Sequence, residues 1–421
     1  MAREMKDSGI EWIGEIPKEW EIVRTKNEFI FHKNIVGNQA DDYQRLALTL
    51  NGVVKRSKED SNGLQPEMFT GYQIIKQGEI VFKLIDLENI ATSRVGLSPY
   101  VGLVSPAYIV LAPKQDIDAK YGEYFFISMW QRETFNHIGD DGVRSSLNSK
   151  DLLNIPYIRM VYDEKKIIVE KLDFQCIEIN NILSKTRLSI EEYKKLKQAV
   201  ITQAVTRGVR GNRELKDSQS TWFGQIPRDW EMRKIKYIFK IQKDIAGEEG
   251  YTVLSITQKG IKPKDLSKNE GQLAENYSNY QLVHIGDFAM NHMDLLTGWV
   301  DVSKYEGVTS PDYRVFGLID KDSYCGQYYL YLMQMCYTNR IFYGLGQGVS
   351  GLGRWRLQAD KFLNFSITVP GYEEQKEIAS YLDRKCSAID ELIAKKEQYL
   401  SEIENYKKSL IYEYVTGKKE V

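Results

Sequence analysis

The sequence is dominated by an internal repeat with a period of about 210 residues. Residues 6–21 read KDSGIEWIGEIPKEWE and residues 216–231 read KDSQSTWFGQIPRDWE, with nine of 16 positions identical. A second pair at the same offset of 210 reads YDEKKIIVEKLD at 162–173 and YEEQKEIASYLD at 372–383. Solenoid repeats are much shorter, at roughly 20–45 residues. The pattern therefore indicates a duplicated domain.

Between these anchors the two copies diverge. Gly78-Glu79 corresponds to Gly286-Asp287 at an offset of 208, and SPAYIVL at 105–111 corresponds to SPDYRVF at 310–316 at an offset of 205. The changing offset indicates insertions and deletions. We expect two copies that keep a common frame and have diverged in the middle toward two different targets.

Two stretches, 157–207 and 372–416, contain neither Pro nor Gly, which favours uninterrupted helix. Alternating spacings of four and three predict the a/d seam of a coiled coil. The first seam is Ile168, Leu172, Gln175, Ile179, Ile182, Thr186, Ser189, Tyr193, Leu196 and Val200; the second is Ile378, Leu382, Lys385, Ile389, Leu392, Lys396, Tyr399, Ile403, Tyr406 and Leu410. The simplest partner for each helix is the other, paired antiparallel. The alternative is that each helix packs on its own domain.

The ends of both helices carry matching signals. Acidic residues open them at 163–164 and 373–374, where the helix dipole favours negative charge. Gly208 and Gly417 follow them and are suited to C-terminal stops.

The middles predict an α+β fold. Short β-branched and aromatic segments at 79–84, 108–111, 251–256 and 313–316 indicate strands, and 122–132 and 327–339 indicate helices. We expect two similar mixed α/β domains, joined by two long antiparallel helices in a coiled coil with pseudo-two-fold symmetry. The predicted division is a first domain at 1–160, a first helix at 161–208, a second domain at 209–371 and a second helix at 372–421.

Composition and missing motifs exclude several classes of function. The net charge of −1 gives no global attraction to nucleic acid, although a local basic face remains compatible with it. The four cysteines form no C-x-x-C pair, so we expect neither a structural zinc site nor a redox dithiol. The chain has no P-loop and no Gly-rich cofactor loop.

Other weak signals are better explained structurally. The D-x-K triplets at 118–120 and 163–165 arise by chance in a chain this charged, and a lone histidine such as His292 is more often packed than metal-bound. We expect no catalytic residue, no metal and no cofactor bound by this chain. No apolar run approaches the ~20 residues of a membrane span. The first 15 residues lack the pattern of a secretory signal, so a cytoplasmic location is predicted.

The duplicated tryptophan motif resembles a known family. The run DSGIEWIGEIPKEW at 7–20 and its copy at 217–230 are similar to the opening of each half of the specificity subunit of Type I restriction–modification enzymes. The entry into each long helix, Pro156/Glu164/Ile168 and Pro370/Glu374/Ile378, resembles the same family. The resemblance covers essentially the whole chain.

This resemblance implies a function and a set of partners. Each of two target-recognition domains would read one half of a bipartite, asymmetric site in double-stranded DNA. The subunit would itself be non-catalytic and would dock two copies of an adenine methyltransferase subunit. S-adenosylmethionine would belong to those partners. ATP and Mg²⁺ would belong to an ATP-dependent translocase–nuclease subunit in a full restriction complex.

Polar loop segments between predicted strands are the candidate DNA contacts, because base edges are read by side chains with paired donors and acceptors. The candidates are Asn89, Thr92, Ser93, Arg94, Arg144, Ser145 and Ser146 in the first copy, and Asn291, Thr297, Gln347, Ser350, Arg354 and Arg356 in the second. The alternative is that these are ordinary solvated loops. The paired tryptophans at 12, 20, 222 and 230 could stack on bases, but packing within each copy explains them better.

Two other functions remain compatible with the residues. A stand-alone DNA-binding regulator could use the same duplicated module without methyltransferase partners. A protein-interaction scaffold would show only weak salt dependence of DNA retention, because phosphate contacts make affinity fall steeply with salt.

Overall fold

The computed structural model describes residues 3–50, 52–60, 68–87, 94–138, 146–265, 276–348 and 355–421. The chain forms two compact units. The first unit comprises Met1–Arg187 and Gln398–Val421, and the second comprises Leu188–Glu397. Each unit therefore includes part of both long helices.

The first unit contains mostly short strands. These are Met5–Asp7, Glu15–Pro17, Glu21–Arg24, Phe29–His32, Leu46–Thr49, Gly52–Lys55, Gln73–Ile75, Ile80–Lys83, Arg94–Leu97, Gly102–Val104, Ile109–Pro113 and Pro156–Arg159. Its shorter helices are Thr25–Glu28, Asp116–Gln131 and Ser149–Asn154, with 3-10 turns at Gly37–Asp42 and Thr134–His137.

The second unit repeats this composition. Its strands are Leu215–Asp217, Gln225–Pro227, Glu231–Lys234, Phe239–Gln242, Leu254–Thr257, Gly260–Pro263, Gln281–Val283, Phe288–Met290, Val300–Val302, Gly307–Thr309, Arg314–Leu318, Gln347–Gly348, Trp355–Arg356 and Ser366–Val369. Its shorter helices are Gly326–Thr338, Ile341–Leu345 and Ala359–Asn364, with a 3-10 turn at Ile235–Tyr237.

Each unit has a four-stranded antiparallel sheet with the same strand order. In the first unit the order is Phe29–His32, Ile109–Pro113, Ile80–Lys83 and Arg94–Leu97. In the second it is Phe239–Gln242, Arg314–Leu318, Phe288–Met290 and Val300–Val302. The repeat found in the sequence is thus also a repeat of topology.

One helix packs on each sheet through aromatic side chains. In the first unit, the ring of Phe126 lies 5.0 Å from that of Phe82 in an edge-on arrangement. In the second, Tyr329 lies 5.5 Å from Phe239, also edge-on. Edge-to-face packing suits aromatic quadrupoles and fixes helix on sheet. Both helices were predicted, although the first begins at Asp116, six residues before the predicted start at 122.

The predicted strands are largely present. Segments 79–84, 108–111 and 313–316 correspond to Ile80–Lys83, Ile109–Pro113 and Arg314–Leu318. The segment predicted at 251–256 becomes a strand only at Leu254. The reason is the turn before it, where Gly250 has φ of +106° and Tyr251 and Thr252 are exposed.

The long helices run from Tyr162 to Arg207 and from Tyr372 to Val415. Gly208 and Gly417 lie just beyond their ends with φ of +77° and +72°, the left-handed conformation that glycine adopts without a Cβ clash. The predicted C-terminal stops are therefore present. No helix in the part of the chain that the structure describes is long and apolar enough to cross a membrane.

The predicted heptad phase is wrong at alternate positions of the first long helix. Ile182 and Leu196 are 39% and 48% exposed, whereas Leu183 and Ile190 are each 5% exposed. From Leu172 the buried residues follow after four residues, at Cys176, and then after three. The predicted seam instead steps by three from Leu172 and then by four.

The second long helix shows the same shift. Leu392, Tyr399 and Tyr406 are exposed, whereas Cys386, which the predicted seam omits, is buried; Leu410 is buried as predicted. The two possible phases share every seventh residue, and apolar residues occupy positions of both. The sequence pattern therefore cannot distinguish them, and the packing partners of each helix decide the phase.

Contacts join the two long helices inside each unit. In the first unit, Arg187 pairs with Glu404 at 2.5 Å, and Lys407 donates to Asn180 at 2.8 Å. In the second, Lys197 pairs with Asp390 at 2.6 Å. The Lys396 ammonium there lies 5.7 Å from the ring centre of Tyr193.

Candidate nucleic-acid interface

Six of the predicted DNA-contacting residues lie in the described part of the chain. They are Arg94, Ser146, Asn291, Thr297, Gln347 and Arg356. The others, Asn89, Thr92, Ser93, Arg144, Ser145, Ser350 and Arg354, lie outside the described residues.

In the first unit, the described residues of the two predicted segments, Arg94 and Ser146, lie at one edge of the sheet. Leu147 donates its backbone N–H to the carbonyl of Leu84 at 3.0 Å, and Ser146 forms an antiparallel bridge with Ile85. Arg94 lies opposite Lys83 at the end of the neighbouring strand pair. Segments some 60 residues apart in the chain (84 and 147) are thus neighbours.

The same backbone contact occurs in the second unit. Leu357 donates its N–H to the carbonyl of His292 at 2.9 Å. Position 292 follows Leu84 by 208 residues, and 357 follows Leu147 by 210, which are offsets of the sequence repeat. Asn291 donates its N–H to Trp299 at 2.9 Å, and so occupies the place of Lys83 opposite Arg94. Both copies therefore bring the same two loops together.

A buried glutamine makes the same two hydrogen bonds to the frame of each copy. The Gln73 amide donates to the carbonyls of Ser105 and Tyr108 at 2.9 and 2.7 Å. The Gln281 amide donates to those of Ser310 and Tyr313 at 2.9 and 2.6 Å. The frame is thus the same in its hydrogen bonds as well as in its strands.

The side chains of the loops differ between the copies. Leu84 and Ser146 of the first unit are replaced at the equivalent positions by His292 and Arg356 of the second. Trp299 stands where the first unit has Arg94. Different side chains on one backbone frame can recognise different ligands.

Burial and a neighbouring cation both act on the pKa of Lys83 at the edge of the first unit. Burial lowers the pKa of Lys83, and the neighbouring Arg94 lowers it further, against the opposing effect of Asp86. Arg94 itself donates to the carbonyl of Leu48 at 3.2 Å. Two cationic groups thus lie side by side where the loops emerge.

The loop at 291–299 is closed by its own polar side chains. Asn291 Oδ1 accepts the N–H groups of Met293 and Asp294 at 3.1 and 3.2 Å. Asp294 in turn accepts the backbone N–H of Thr297 at 3.0 Å and also its hydroxyl. Asn291 and Thr297 therefore shape this loop, which limits the atoms they can offer to a base.

The other predicted segment of the second unit begins and ends as a paired hairpin. Gln347 is the register partner of Arg356, and both side chains are exposed. Trp355 anchors the hairpin by stacking on Tyr343 at 5.2 Å and donating its indole N–H to the Tyr343 carbonyl at 2.5 Å. Gln347 and Arg356 are thus held on a supported element.

Behind Arg356 lies a cavity of about 330 Å³, which His292, Arg314, Gln242 and Gln358 help to line. Burial lowers the pKa of Arg314 to about 10, which leaves its guanidinium charged at neutral pH. Burial, together with the positive charges of Arg314 and Arg356, lowers the pKa of His292 to about 3. This imidazole is therefore neutral at neutral pH.

The comparisons with known proteins agree in their assignment. Residues 227–405 match the family described as the type I restriction modification DNA specificity domain. The chain is 25% identical to a putative type I restriction enzyme MjaX specificity subunit of Methanocaldococcus jannaschii, over 96% of this chain and 95% of the relative. It is 24% identical to the MjaVIII specificity subunit of the same organism, over 96% and 93%. A stretch in the second half of the chain thus resembles the DNA specificity domain, and the chain over nearly its whole length is similar to type I specificity subunits.

The fold of this chain is also similar to a solved structure. That structure was determined in work on the complex assembly and conformational transition of the type I R-M system. The TM-score is 0.66 at 11% sequence identity, over 95% of this chain and 98% of the other. The predicted mixed α/β fold is confirmed at this level.

Sequence reasoning did not identify two residues of this cavity as functional. It predicts a packed or hydrogen-bonded role for His292 and places Arg314 only within a strand. A signal for Arg314 existed, because SPDYRVF carries an arginine where SPAYIVL carries Ile109. Among the described residues, no cluster of His, Cys, Asp and Glu could hold a metal ion.

Proposed function

We propose that this chain is the sequence-specific DNA-recognition subunit of a Type I restriction–modification complex and reads a bipartite, asymmetric site. The observation that carries the proposal is the repeated contact between the same two loops. Leu147 meets Leu84 in one unit, and Leu357 meets His292 in the other. One reading edge per unit supports one half-site per unit.

The proposed half-sites differ because the side chains at these edges differ. Arginine pairs with guanine, and Asn or Gln with adenine, through two hydrogen bonds each. The first unit places Arg94 and Ser146 at its edge, and the second places Gln347 and Arg356 there. We propose these residues as DNA contacts, with Arg356 on the DNA backbone, together with Asn89, Thr92, Ser93, Arg144, Ser145, Ser350 and Arg354.

We further propose that the long helices form an antiparallel coiled coil related by a pseudo-two-fold axis. Two ion pairs between the helices support an antiparallel arrangement. Residue 187 pairs with 404 and residue 197 with 390, so the residue number decreases along one helix as it increases along the other. Such a coil would fix the spacing between the half-sites. In this proposal the two domains are residues 1–160 and 209–371, and the two helices are residues 161–208 and 372–421.

The methyltransferase partners have a candidate surface on the first long helix. Ile167, Phe174 and Ile177 are 46%, 69% and 59% exposed and lie on one face of that helix. Exposed apolar side chains grouped in this way are typical of protein contacts. We propose that they contribute to docking of one of two adenine methyltransferase subunits.

We propose that the chain acts in the cytoplasm without catalysis of its own. S-adenosylmethionine would be held by the methyltransferase subunits. ATP and Mg²⁺ would be held by a translocase–nuclease subunit where restriction accompanies modification.

Methylation mapping tests the proposal. The chain is co-expressed with its neighbouring methyltransferase in a host that lacks the modification, and modified adenines are located by long-read sequencing. We expect one bipartite motif with a fixed unread gap, present only when this chain is expressed. No new methylation despite a co-purifying active methyltransferase would contradict the proposal and favour a stand-alone regulator or a scaffold.

A further inference from the structure

The cavity behind Arg356 has the composition of an anion site. We propose that it is a phosphate-binding pocket that holds a backbone phosphate of the DNA half-site bound by the second unit. The inference rests on the proposed function for the identity of the ligand. Arg314, Arg356 and His292 are the groups that would contact the phosphate.

Arg314 is the strongest indication of an anionic ligand. Arg314 is only 5% exposed, and its guanidinium donates to the carbonyl of Leu357 at 2.9 Å. Its guanidinium carbon lies 5.0 Å from the ring centre of Phe362. Within the described ranges, no carboxylate forms an ion pair with Arg314. A buried charge without a counter-ion is costly, so an anion in the cavity would stabilise it.

His292 supplies a second, independent indication. It is 6% exposed and lines the cavity, and its Nδ1 has no hydrogen-bond partner among the residues that the structure describes. Buried polar atoms in proteins nearly always have a partner. A neutral imidazole can donate one N–H to a phosphate oxygen without requiring a further charge.

Arg356 completes the set from the mouth of the cavity. It is exposed, it lines the same cavity, and its positive charge contributes to the low pKa of His292. Guanidinium groups match the oxygen geometry of a phosphate and are favoured for its recognition.

The first unit has no arginine or histidine at the three positions equivalent to Arg314, His292 and Arg356. The strand partner of Met290 is Arg314, and the strand partner of the equivalent Phe82 is Ile109. Leu84 and Ser146 stand in place of His292 and Arg356. This set of three groups is therefore particular to the second unit, and the first unit gives a built-in comparison.

The test uses Arg356→Gln and His292→Leu in the full chain, alone and assembled with its methyltransferase subunits. His292→Leu introduces the residue that the first unit has at this position. Arg228→Gln is the matched control, because Arg228 is an exposed cation of the same unit paired with Glu214. DNA affinity is measured by fluorescence anisotropy across a salt series, and binding of inorganic phosphate is measured by ³¹P line broadening.

We expect Arg356→Gln to weaken binding equally on DNA with and without the second half-site. The slope of log K against log [salt] should become less negative by about 0.9, because one phosphate is no longer neutralised. Both variants should reduce ³¹P broadening, and Arg228→Gln should change none of these quantities. Unchanged slopes and unchanged ³¹P broadening in both folded variants would overturn the proposal.

Two other outcomes separate this inference from the proposed function. Loss of discrimination at one half-site with an unchanged salt slope would make the pocket a base reader and overturn the phosphate assignment. Loss of ³¹P broadening in a chain that binds no DNA would confirm the phosphate pocket and overturn its assignment to DNA, along with the proposed function.

Discussion

The indole N–H of Trp230 donates to Glu374 Oε2 at 3.1 Å, and the indole N–H of Trp20 donates to Glu164 at 2.8 Å. Each bond joins the start of a copy to the first turn of a long helix. Trp20 and Trp230 are at most 1% exposed, which leaves no ring face available to a base. Their geometry is that of a structural clamp.

Replacing either clamp tryptophan should destabilise its unit. We expect Trp230→Phe and Trp20→Phe each to lower the free energy of unfolding by about 2–3 kcal/mol, because a hydrogen bond to a charged group is removed. Urea unfolding measures the change. Trp222→Phe, at a residue 41% exposed, is the control and should cost less than about 1 kcal/mol. A folded variant of wild-type stability with weakened DNA binding would instead show that these rings stack on bases.

Leu183 and Ile182 test the phase of the first long helix, since they are adjacent in the chain but 5% and 39% exposed. Leu183→Ala should lower the free energy of unfolding by about 2–4 kcal/mol, because it leaves a cavity in a packed interface. Ile182→Ala should cost about 1 kcal/mol or less. Thermal unfolding of the two variants gives the comparison, and a larger loss of stability for Ile182→Ala would restore the phase expected from the sequence.

The sequence was sufficient for the elements but not for this phase. Pro- and Gly-free stretches predict long helices because each residue can extend the hydrogen-bonded ladder, and the ends at Gly208 and Gly417 follow from backbone conformation. The choice between Ile182 and Leu183 depends on which side chains pack against the helix from distant segments. No local pattern contains that information.

The candidate site was likewise only partly predictable from the sequence. Polar, glycine-containing loops identify Arg94, Ser146 and Arg356 as candidates from composition alone. That Ser146 bridges Ile85 depends on the sheet arrangement, which sequence spacing does not give. The burial of Arg314 could not be predicted, because a charged side chain in a short strand is ordinarily assigned to the solvent face.

The pH dependence of stability should reveal the buried His292. Its folded-state pKa is lowered from 6.5 to about 3, so the unfolded chain binds a proton more readily than the folded chain in this range. The stabilisation is therefore fully present above pH 6.5 and is lost progressively as the pH falls toward about 3. His292→Leu should lose less stability than wild type between pH 7 and pH 5, as measured by urea unfolding. The difference in unfolding free energy between His292→Leu and wild type at pH 8 measures the effect of altered packing alone. Parallel pH profiles of the two proteins would contradict a lowered pKa for His292.

The exposed face of the first long helix should affect assembly without affecting folding. Phe174→Ser should reduce co-purification of the methyltransferase subunit at least tenfold, whereas the melting temperature should stay within about 2 °C because the ring is 69% exposed. Tyr406→Ser removes an exposed aromatic ring from the other long helix in the same unit and is the matched control. Equal losses of co-purification in both variants would mean that docking does not depend on the Ile167–Phe174–Ile177 face.

The two units should read their half-sites independently. Arg144 and Arg354 lie outside the described residues, but the described residues nearest to them, Ser146 and Trp355, belong to separate units. Arg144→Ala should therefore relax discrimination at one half-site and Arg354→Ala at the other, each by about 1–3 kcal/mol because a bidentate pair of hydrogen bonds to a base is removed. Long-read methylation mapping of each variant shows which bases become tolerated. Each unit has its own frame glutamine, Gln73 in the first and Gln281 in the second, so a change in one unit should leave the other intact. Relaxation of both half-sites by either single change would therefore contradict the two-reader mechanism.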